Sequence, residues 1–178
     1  MKPKRTISQK IKNHARRTLS RKIPLEKRNY VIDTSVILNR FLPRLIRKGL
    51  KGQIIIPNAL VAELENLANK GNALGFLGLE EIAKLHYLKR KYPITVFFEG
   101  IRPTEHHIKY AKSGEIDALI REIAFSKKAI LITADLVQAK SAQAYGLGVL
   151  FLRPKINKNM GVRRKGIFHR FFHGKKVR

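Results

Sequence analysis

Tyr30-Val31-Ile32-Asp33-Thr34-Ser35 decides how the rest of the chain is read. Its apolar residues make a short buried strand, and Asp33 closes it. Val36, Ile37, Phe41, Leu42, Leu45 and Ile46 then recur at helical spacing, with Pro43 expected to kink or divide that helix. The same pattern returns at Ala129-Ile130-Leu131-Ile132, where Thr133 and Ala134 lead to Asp135. In both places an acid stands where a strand hands over to a helix.

Between these junctions the pattern alternates. A strand is expected at Gln53 to Ile56, stopped by Pro57, then a helix from Ala59 to Lys70 capped by Asn58 and closed by Gly71. A helix over about Gly78 to Lys91 precedes the strand Ile94 to Phe98. Glu115 to Phe125 reads as helix, Leu136 to Tyr145 as another, and Val149 to Leu152 as a last strand. The glycines at 71, 75 and 78 read as helix ends or packing sites. Short apolar strands alternating with helices predict an α/β chain with a parallel sheet covered on both faces. Ligands of such sheets bind beyond the carboxyl ends of the strands, where Asp33 and Asp135 fall. Glu63 lies about a turn and a half into the helix after the second strand.

Charge is the second organising feature. The 178 residues hold 38 Lys+Arg against 12 Asp+Glu, for a formal net charge of +26. Residues 1–28 carry 11 Lys+Arg and one acid, and residues 153–178 carry 10 Lys+Arg and none. The expected organisation is therefore a basic N-terminal arm (1–28), a globular domain (29–152) and a basic C-terminal arm (153–178). Arms this cationic suit a polyanion, because each neutralised phosphate releases counterions. The plainer reading is a solvated tail, although solubility needs far less charge. The N-terminal arm also has the composition of a transit peptide, but an equally basic C-terminus points to one polyanion shared by both.

Neither arm has a continuous apolar face for a membrane surface, and no apolar run approaches the roughly 20 residues that span a bilayer. There is no cysteine, so disulfides and zinc–thiolate sites are excluded and the redox compartment is undetermined. A cytoplasmic location is expected.

A lone Asp at a helix start is most simply a cap, and a lone Glu on a helix is most simply solvated. The combination is harder to dismiss, since carboxylates gathered at one edge repel unless a cation neutralises them. Oxygen ligands favour Mg²⁺ or Mn²⁺. Such an ion lowers the pKa of bound water and stabilises charge on a phosphate.

Four segments taken in order carry a resemblance: Val31-Ile32-Asp33-Thr34-Ser35, Ile56-Pro57-Asn58-Ala59-Leu60-Val61-Ala62-Glu63-Leu64, Gly114-Glu115-Ile116-Asp117-Ala118-Leu119-Ile120 and Ile132-Thr133-Ala134-Asp135. Together they resemble the successive motifs of a PIN domain over residues 29–152. Gln53 to Leu79 is especially similar to the PIN domain of archaeal PIN–ATPase–KH proteins. The resemblance implies a three-layer α/β/α fold with a central parallel sheet and a metal-dependent endoribonuclease activity. It makes Asp33, Glu63, Asp117 and Asp135 the catalytic, metal-holding acids, with Thr133 in support. Glu115 is a further metal-ligand candidate. It points about 200° from Asp117 on a regular helix, yet both could reach one site at a helix start, as paired acids do in related flap endonucleases. Its simpler role is to complement the positive helix N-terminus.

The 178 residues contain no Gly-x-x-x-x-Gly-Lys-Ser/Thr segment and, outside the PIN-like region, no Gly-x-x-Gly loop, so no ATPase or KH module is expected. Asp33-Thr34-Ser35 lacks the second Asp of a haloacid-dehalogenase-like phosphotransferase. RNA delivery then falls to the arms, with Arg16, Arg17, Arg163, Arg164, Lys165, Phe168 and Arg170 as the RNA-binding candidates. Phe168, Phe171 and Phe172 either stack on unpaired bases or dock on protein. His169 and His173 have metal-pair spacing without a third ligand, and His106 and His107 are expected in a polar loop.

The expected substrate is structured or ribosomal RNA, the cofactor Mg²⁺ or Mn²⁺, and the partners RNA or ribosomal subunits; a homodimer stays open. Two alternatives stand beside this reading. One is a toxin-type PIN ribonuclease with an antitoxin, and the other is a non-catalytic RNA- or ribosome-binding protein.

Overall fold

The computed structural model of the protein describes residues 28–110 and 114–153. Five strands, β1 (Arg28–Ile32), β2 (Gly52–Pro57), β3 (Ile94–Glu99), β4 (Ile130–Thr133) and β5 (Val149–Phe151), form one sheet. Every neighbouring pair is parallel, in the order β3-β2-β1-β4-β5. Between the strands run α1 (Thr34–Leu38), α2 (Leu42–Arg47), α3 (Asn58–Asn69), α4 (Ala73–Leu88), α5 (Glu105–Tyr110), α6 (Glu115–Ser126) and α7 (Leu136–Ala144).

The layering follows from the two-residue period of the strands. Tyr30, Ile32, Ile54, Ile56, Ile130 and Ile132 point into one core, completed by Val36, Leu42, Ile46, Leu60, Ile82 and Leu85. Val31, Ile55 and Leu131 point the other way, onto Ala59, Ile108, Ile116, Ile120 and Ala142. Strands buried on both faces need no polar alternation, which is why their sequences are apolar throughout. Each fully buried isoleucine contributes about 1.5–3 kcal/mol relative to exposure. The expected α/β/α architecture is present.

Chain order places the site. The chain runs outward from β1 to β2 and β3, then returns to lay β4 on the other side of β1. The direction of winding reverses between β1 and β4, so their carboxyl ends flank a crevice. Val31 pairs with Leu131 and Ile32 with Ile132, which brings Asp33 level with Thr133.

Local expectations needed four corrections. The helix expected from Val36 to Ile46 is two helices, but the break precedes Pro43: Arg40 takes φ 53°, and Phe41 donates its N–H to the Val36 carbonyl at 3.0 Å. Pro43 falls in the first turn of α2, where its missing N–H has no helical partner to lose. Asn58 is the first residue of α3 rather than its cap, and its side-chain amide donates to the Gly100 carbonyl at 2.7 Å. The next helix begins at Ala73, capped by Asn72, whose side chain accepts from the Leu74 N–H at 2.9 Å. His106 and His107 lie on α5, not in a loop.

Candidate metal centre at the sheet edge

Asp33 follows β1 directly and occupies the position before α1, yet its carboxylate does not cap that helix. The side chain is 3 % exposed. Its Oδ2 accepts from the Thr133 hydroxyl at 2.7 Å and from the Ser35 hydroxyl. Ser35 Oγ in turn accepts from the Ala134 N–H at 2.8 Å, and Thr133 Oγ1 accepts from the Asp135 N–H at 2.9 Å. Two hydroxyls thus tie the end of β1 to the end of β4, each donating a hydrogen bond to the same carboxylate oxygen.

Glu63 reaches the group from the second turn of α3. The Thr34 hydroxyl donates to its Oε2 at 2.7 Å. Asp117 comes from the first turn of α6. The buried Gln138 fixes that turn to α7, donating from Nε2 to the Asp117 carbonyl at 3.0 Å while its Oε1 accepts from Arg121. Asp135 caps α7 as the simplest sequence reading expects: its Oδ1 accepts from the N–H of Val137 at 2.6 Å and of Gln138 at 3.0 Å. Its Oδ2 is the oxygen open to another partner.

Electrostatics links the four acids. Burial raises the pKa of Asp33, against the hydrogen bonds from Ser35 and Thr133, and the charge of Asp135 raises it further. Glu63 is pushed up to about 7, first by burial and then by Asp33 and Asp117, with the Thr34 hydrogen bond opposing. Asp117 is pushed up to about 6 by burial and by Asp33 and Asp135, while Arg121 pulls it down. Asp33 and Asp117 therefore each lie in the field of the other three acids.

Glu115 does not join them. Its half-exposed carboxylate faces His107 Nε2 at 3.6 Å. Sequence reading assigned no role to Thr34, Ser35, Arg121 or Gln138. The two hydroxyls carried a signal, directly after Asp33 at a strand–helix junction; Arg121 and Gln138 carried none, since their partners are set only by the packing of α6 on α7. Arg16, Arg17, Arg163, Arg164, Lys165, Phe168 and Arg170 lie outside the described residues, as do Phe171, Phe172, His169 and His173.

The donor set is all oxygen, matching a hard divalent cation. Among the described residues no three His, Cys, Asp or Glu side chains are arranged to enclose a metal as they stand. The residues fit a hard divalent cation in donor chemistry, without forming a closed cage.

The PIN domain family matches residues 30–143, and the chain belongs to it. PIN domains are typically nucleases and generally use divalent metal ions. Among curated proteins, an uncharacterized KH- and PIN-domain-containing protein of Methanocaldococcus jannaschii is 44% identical over 123 residues, 68% of this chain and 19% of that protein. The Holliday junction branch migration ATPase PINA of Sulfolobus acidocaldarius is 24% identical over 127 residues, 71% of this chain and 23% of that protein. The chain thus matches about a fifth of each relative's length. A solved domain of a functionally unknown protein from Methanocaldococcus jannaschii has a TM-score of 0.68 at 41% identity, covering 71% of this chain and 91% of that one. Among the described residues no helix is long and apolar enough to cross a membrane.

Proposed function

We propose that the protein is a divalent-metal-dependent endoribonuclease that hydrolyses phosphodiester bonds of structured RNA, ribosomal RNA being the foremost candidate. The observation that carries this reading is the gathering of Asp33, Glu63, Asp117 and Asp135 at one sheet edge, each within the field of at least one other, in a chain of charge +26. These four acids would hold Mg²⁺ or Mn²⁺. When bound, such an ion supplies a water of lowered pKa and neutralises charge on the scissile phosphate.

The chain's own residues prepare that site. Ser35 and Thr133 fix Asp33 in one orientation, and Thr34 holds Glu63. Asp135 is locked through Oδ1, leaving Oδ2 as its ligand atom. Without metal, Glu63 holds its proton up to about pH 7 and Asp117 up to about 6, and cation binding would displace them. The arms, residues 1–28 and 153–178, would grip RNA through Arg16, Arg17, Arg163, Arg164, Lys165, Phe168 and Arg170. A cytoplasmic location belongs to the same reading.

The test uses purified protein with structured RNA and Mn²⁺, with and without chelator, beside Asp33→Asn. Cleavage should need the metal and fall at least 100-fold in the variant. Equal cleavage by both proteins would overturn the metal-site assignment. A matched DNA substrate belongs in the same assay, because one relative is named for action on DNA junctions. Equal cleavage of that DNA would overturn the restriction to RNA.

A further inference from the structure

We infer that the opposite, N-terminal edge of the sheet is a second, non-catalytic contact surface for the phosphate backbone of the RNA substrate. The inference takes the identity of the polyanion from the ribonuclease reading, but the surface itself follows from the topology. In a parallel sheet every helix returns the chain to the same edge before the next strand. Here three of those returns are strongly basic: Lys48 and Lys51 between α2 and β2, Lys89-Arg90-Lys91 between α4 and β3, and Lys127-Lys128 between α6 and β4. All seven cations are exposed, and no acid lies in these three connections. The acids at chain junctions, Asp33 and Asp135, fall at the other edge.

Cations are favoured at helix C-termini by the helix dipole alone. That accounts for Lys48 and Lys89, which immediately follow their helices. It does not account for Lys51, which adjoins the start of β2, or for Lys91, three residues beyond the end of α4. Lys127 sends its ammonium to Glu99 at the carboxyl end of β3, 3.2 Å away, and so stands apart from the other six; Lys91 lies over the Tyr87 ring at 4.6 Å and stays exposed. Exposed pairs of this kind are weak and exchange readily for phosphate.

Residues 1–27 join β1 at Arg28, in the middle of this same edge, so the N-terminal arm is attached at the basic pole. The C-terminal arm follows β5 at the carboxylate edge instead. Strands of this length separate the two edges by about 17–20 Å. A short oligonucleotide can occupy the carboxylate edge without reaching the basic one, whereas a large folded RNA can meet both. The substrate class that uses the whole surface is therefore folded RNA, with the basic pole as its anchor.

The experiment compares two full-chain variants of equal charge. One carries Lys48→Gln, Lys51→Gln, Lys89→Gln and Lys128→Asn, Asn being chosen because Lys128 has φ 47°, which Asn tolerates. The control carries Lys70→Gln in the turn after α3, and Lys84→Gln, Lys109→Gln and Lys140→Gln on exposed helix positions. Circular dichroism first establishes that both are folded. Binding of bulk transfer RNA and of a 12-nucleotide single strand is then titrated in chelator across a salt series. Cleavage of the 12-mer is measured with Mn²⁺.

The first variant should bind transfer RNA about tenfold more weakly, with a log–log salt slope shallower by roughly 3. Its affinity for the 12-mer and its cleavage of that strand should match wild type, and the control should bind transfer RNA like wild type. Unchanged transfer RNA binding by the first variant would overturn the inference. So would an equal loss in the control, which would mean that net charge alone matters. Absent 12-mer cleavage in wild type would count against the ribonuclease reading, while the chelated binding data would still decide the surface.

Discussion

The Thr133 hydroxyl donates to Asp33 Oδ2 at 2.7 Å across 100 residues of sequence, and Thr133 Oγ1 itself accepts from the Asp135 N–H at 2.9 Å. One side chain, fully buried at the end of β4, orients an acid of the neighbouring strand and stitches the turn that carries a second acid. Thr133→Val keeps the shape and removes both interactions. It should destabilise the fold by about 1–3 kcal/mol, because a buried N–H and carboxylate lose a partner. Urea unfolding measures this, and Thr133→Ser should recover most of the loss.

Stability without metal should fall as pH rises. The pKa of Glu63 is raised to about 7 and that of Asp117 to about 6, both chiefly by burial. A carboxyl with a higher pKa folded than unfolded holds its proton more tightly in the fold. Its contribution is complete below the unfolded value near 4 and is lost as pH climbs through the folded value. The expected loss between pH 4.5 and 8 in chelator is on the order of 2–4 kcal/mol after discounting for partial exposure. Chemical denaturation at stepped pH gives the curve. In Asp117→Asn the decline should be visibly shallower.

Divalent metal should oppose that trend. A cation bound by the four acids stabilises the folded state by mass action, about 2.7 kcal/mol at a hundredfold excess over Kd. In a domain of this size that corresponds to a Tm rise of roughly 5–10 °C at pH 7.5. Calorimetry with Mn²⁺ against chelator measures it. Asp33→Asn should show less than half the rise, and an undiminished rise in that variant would place the metal elsewhere.

The sequence made the sheet legible because a strand buried on both faces leaves an unbroken apolar run, as at Ile54-Ile55-Ile56 and Ile130-Leu131-Ile132. Asp33 and Asp135 were legible because a parallel sheet sends all its strand ends to one edge. The boundary at Asn39–Phe41 was not, since it depends on Arg40 adopting positive φ, for which Arg has no special preference. Asn58 was misread because tertiary contact with Gly100 outcompetes a local cap. The basic pole was hidden among 38 cations until strand order showed which of them share an edge.

The glycines of α4 record how closely two helices approach. A Cβ at Gly75 would stand 2.3 Å from Ala68 N and 2.6 Å from Leu64 O, both backbone atoms of α3. At Gly78 it would stand 2.5 Å from Leu64 Cδ2, the end of a side chain that can turn away. Gly75→Ala must therefore separate the helices, whereas Gly78→Ala asks only for a new leucine rotamer. The expected costs are about 3 kcal/mol or more for the first and about 1–2 kcal/mol for the second. Thermal denaturation ranks the two, and the reverse order would contradict the helix packing described.

Glu115 and Asp117 stand two residues apart on α6, and their surroundings differ as the helical rotation of about 200° requires. Asp117 turns toward Asp33, Asp135 and Glu63, and its pKa is raised by burial first and then by that company. Glu115 turns toward solvent and His107. At the helix start Glu115 complements the positive dipole, so Glu115→Gln should cost about 0.3–1 kcal/mol. Asp117→Asn instead removes a carboxylate whose charge burial and its acidic neighbours already disfavour, and should cost no stability at neutral pH. Their effects on cleavage should diverge. Asp117→Asn removes a charge from the cluster and should lower kcat/KM for RNA at least 100-fold, whereas Glu115→Gln should keep at least half of the wild-type rate. Steady-state cleavage with Mn²⁺ makes the comparison, and Gln138→Leu adds a third arm. That change frees the turn carrying Asp117 without touching its carboxylate. It should lower kcat by about tenfold and require more Mn²⁺ for half-maximal rate. If Glu115→Gln instead loses activity as severely as Asp117→Asn, the first turn of α6 must rearrange to bring both acids to the metal.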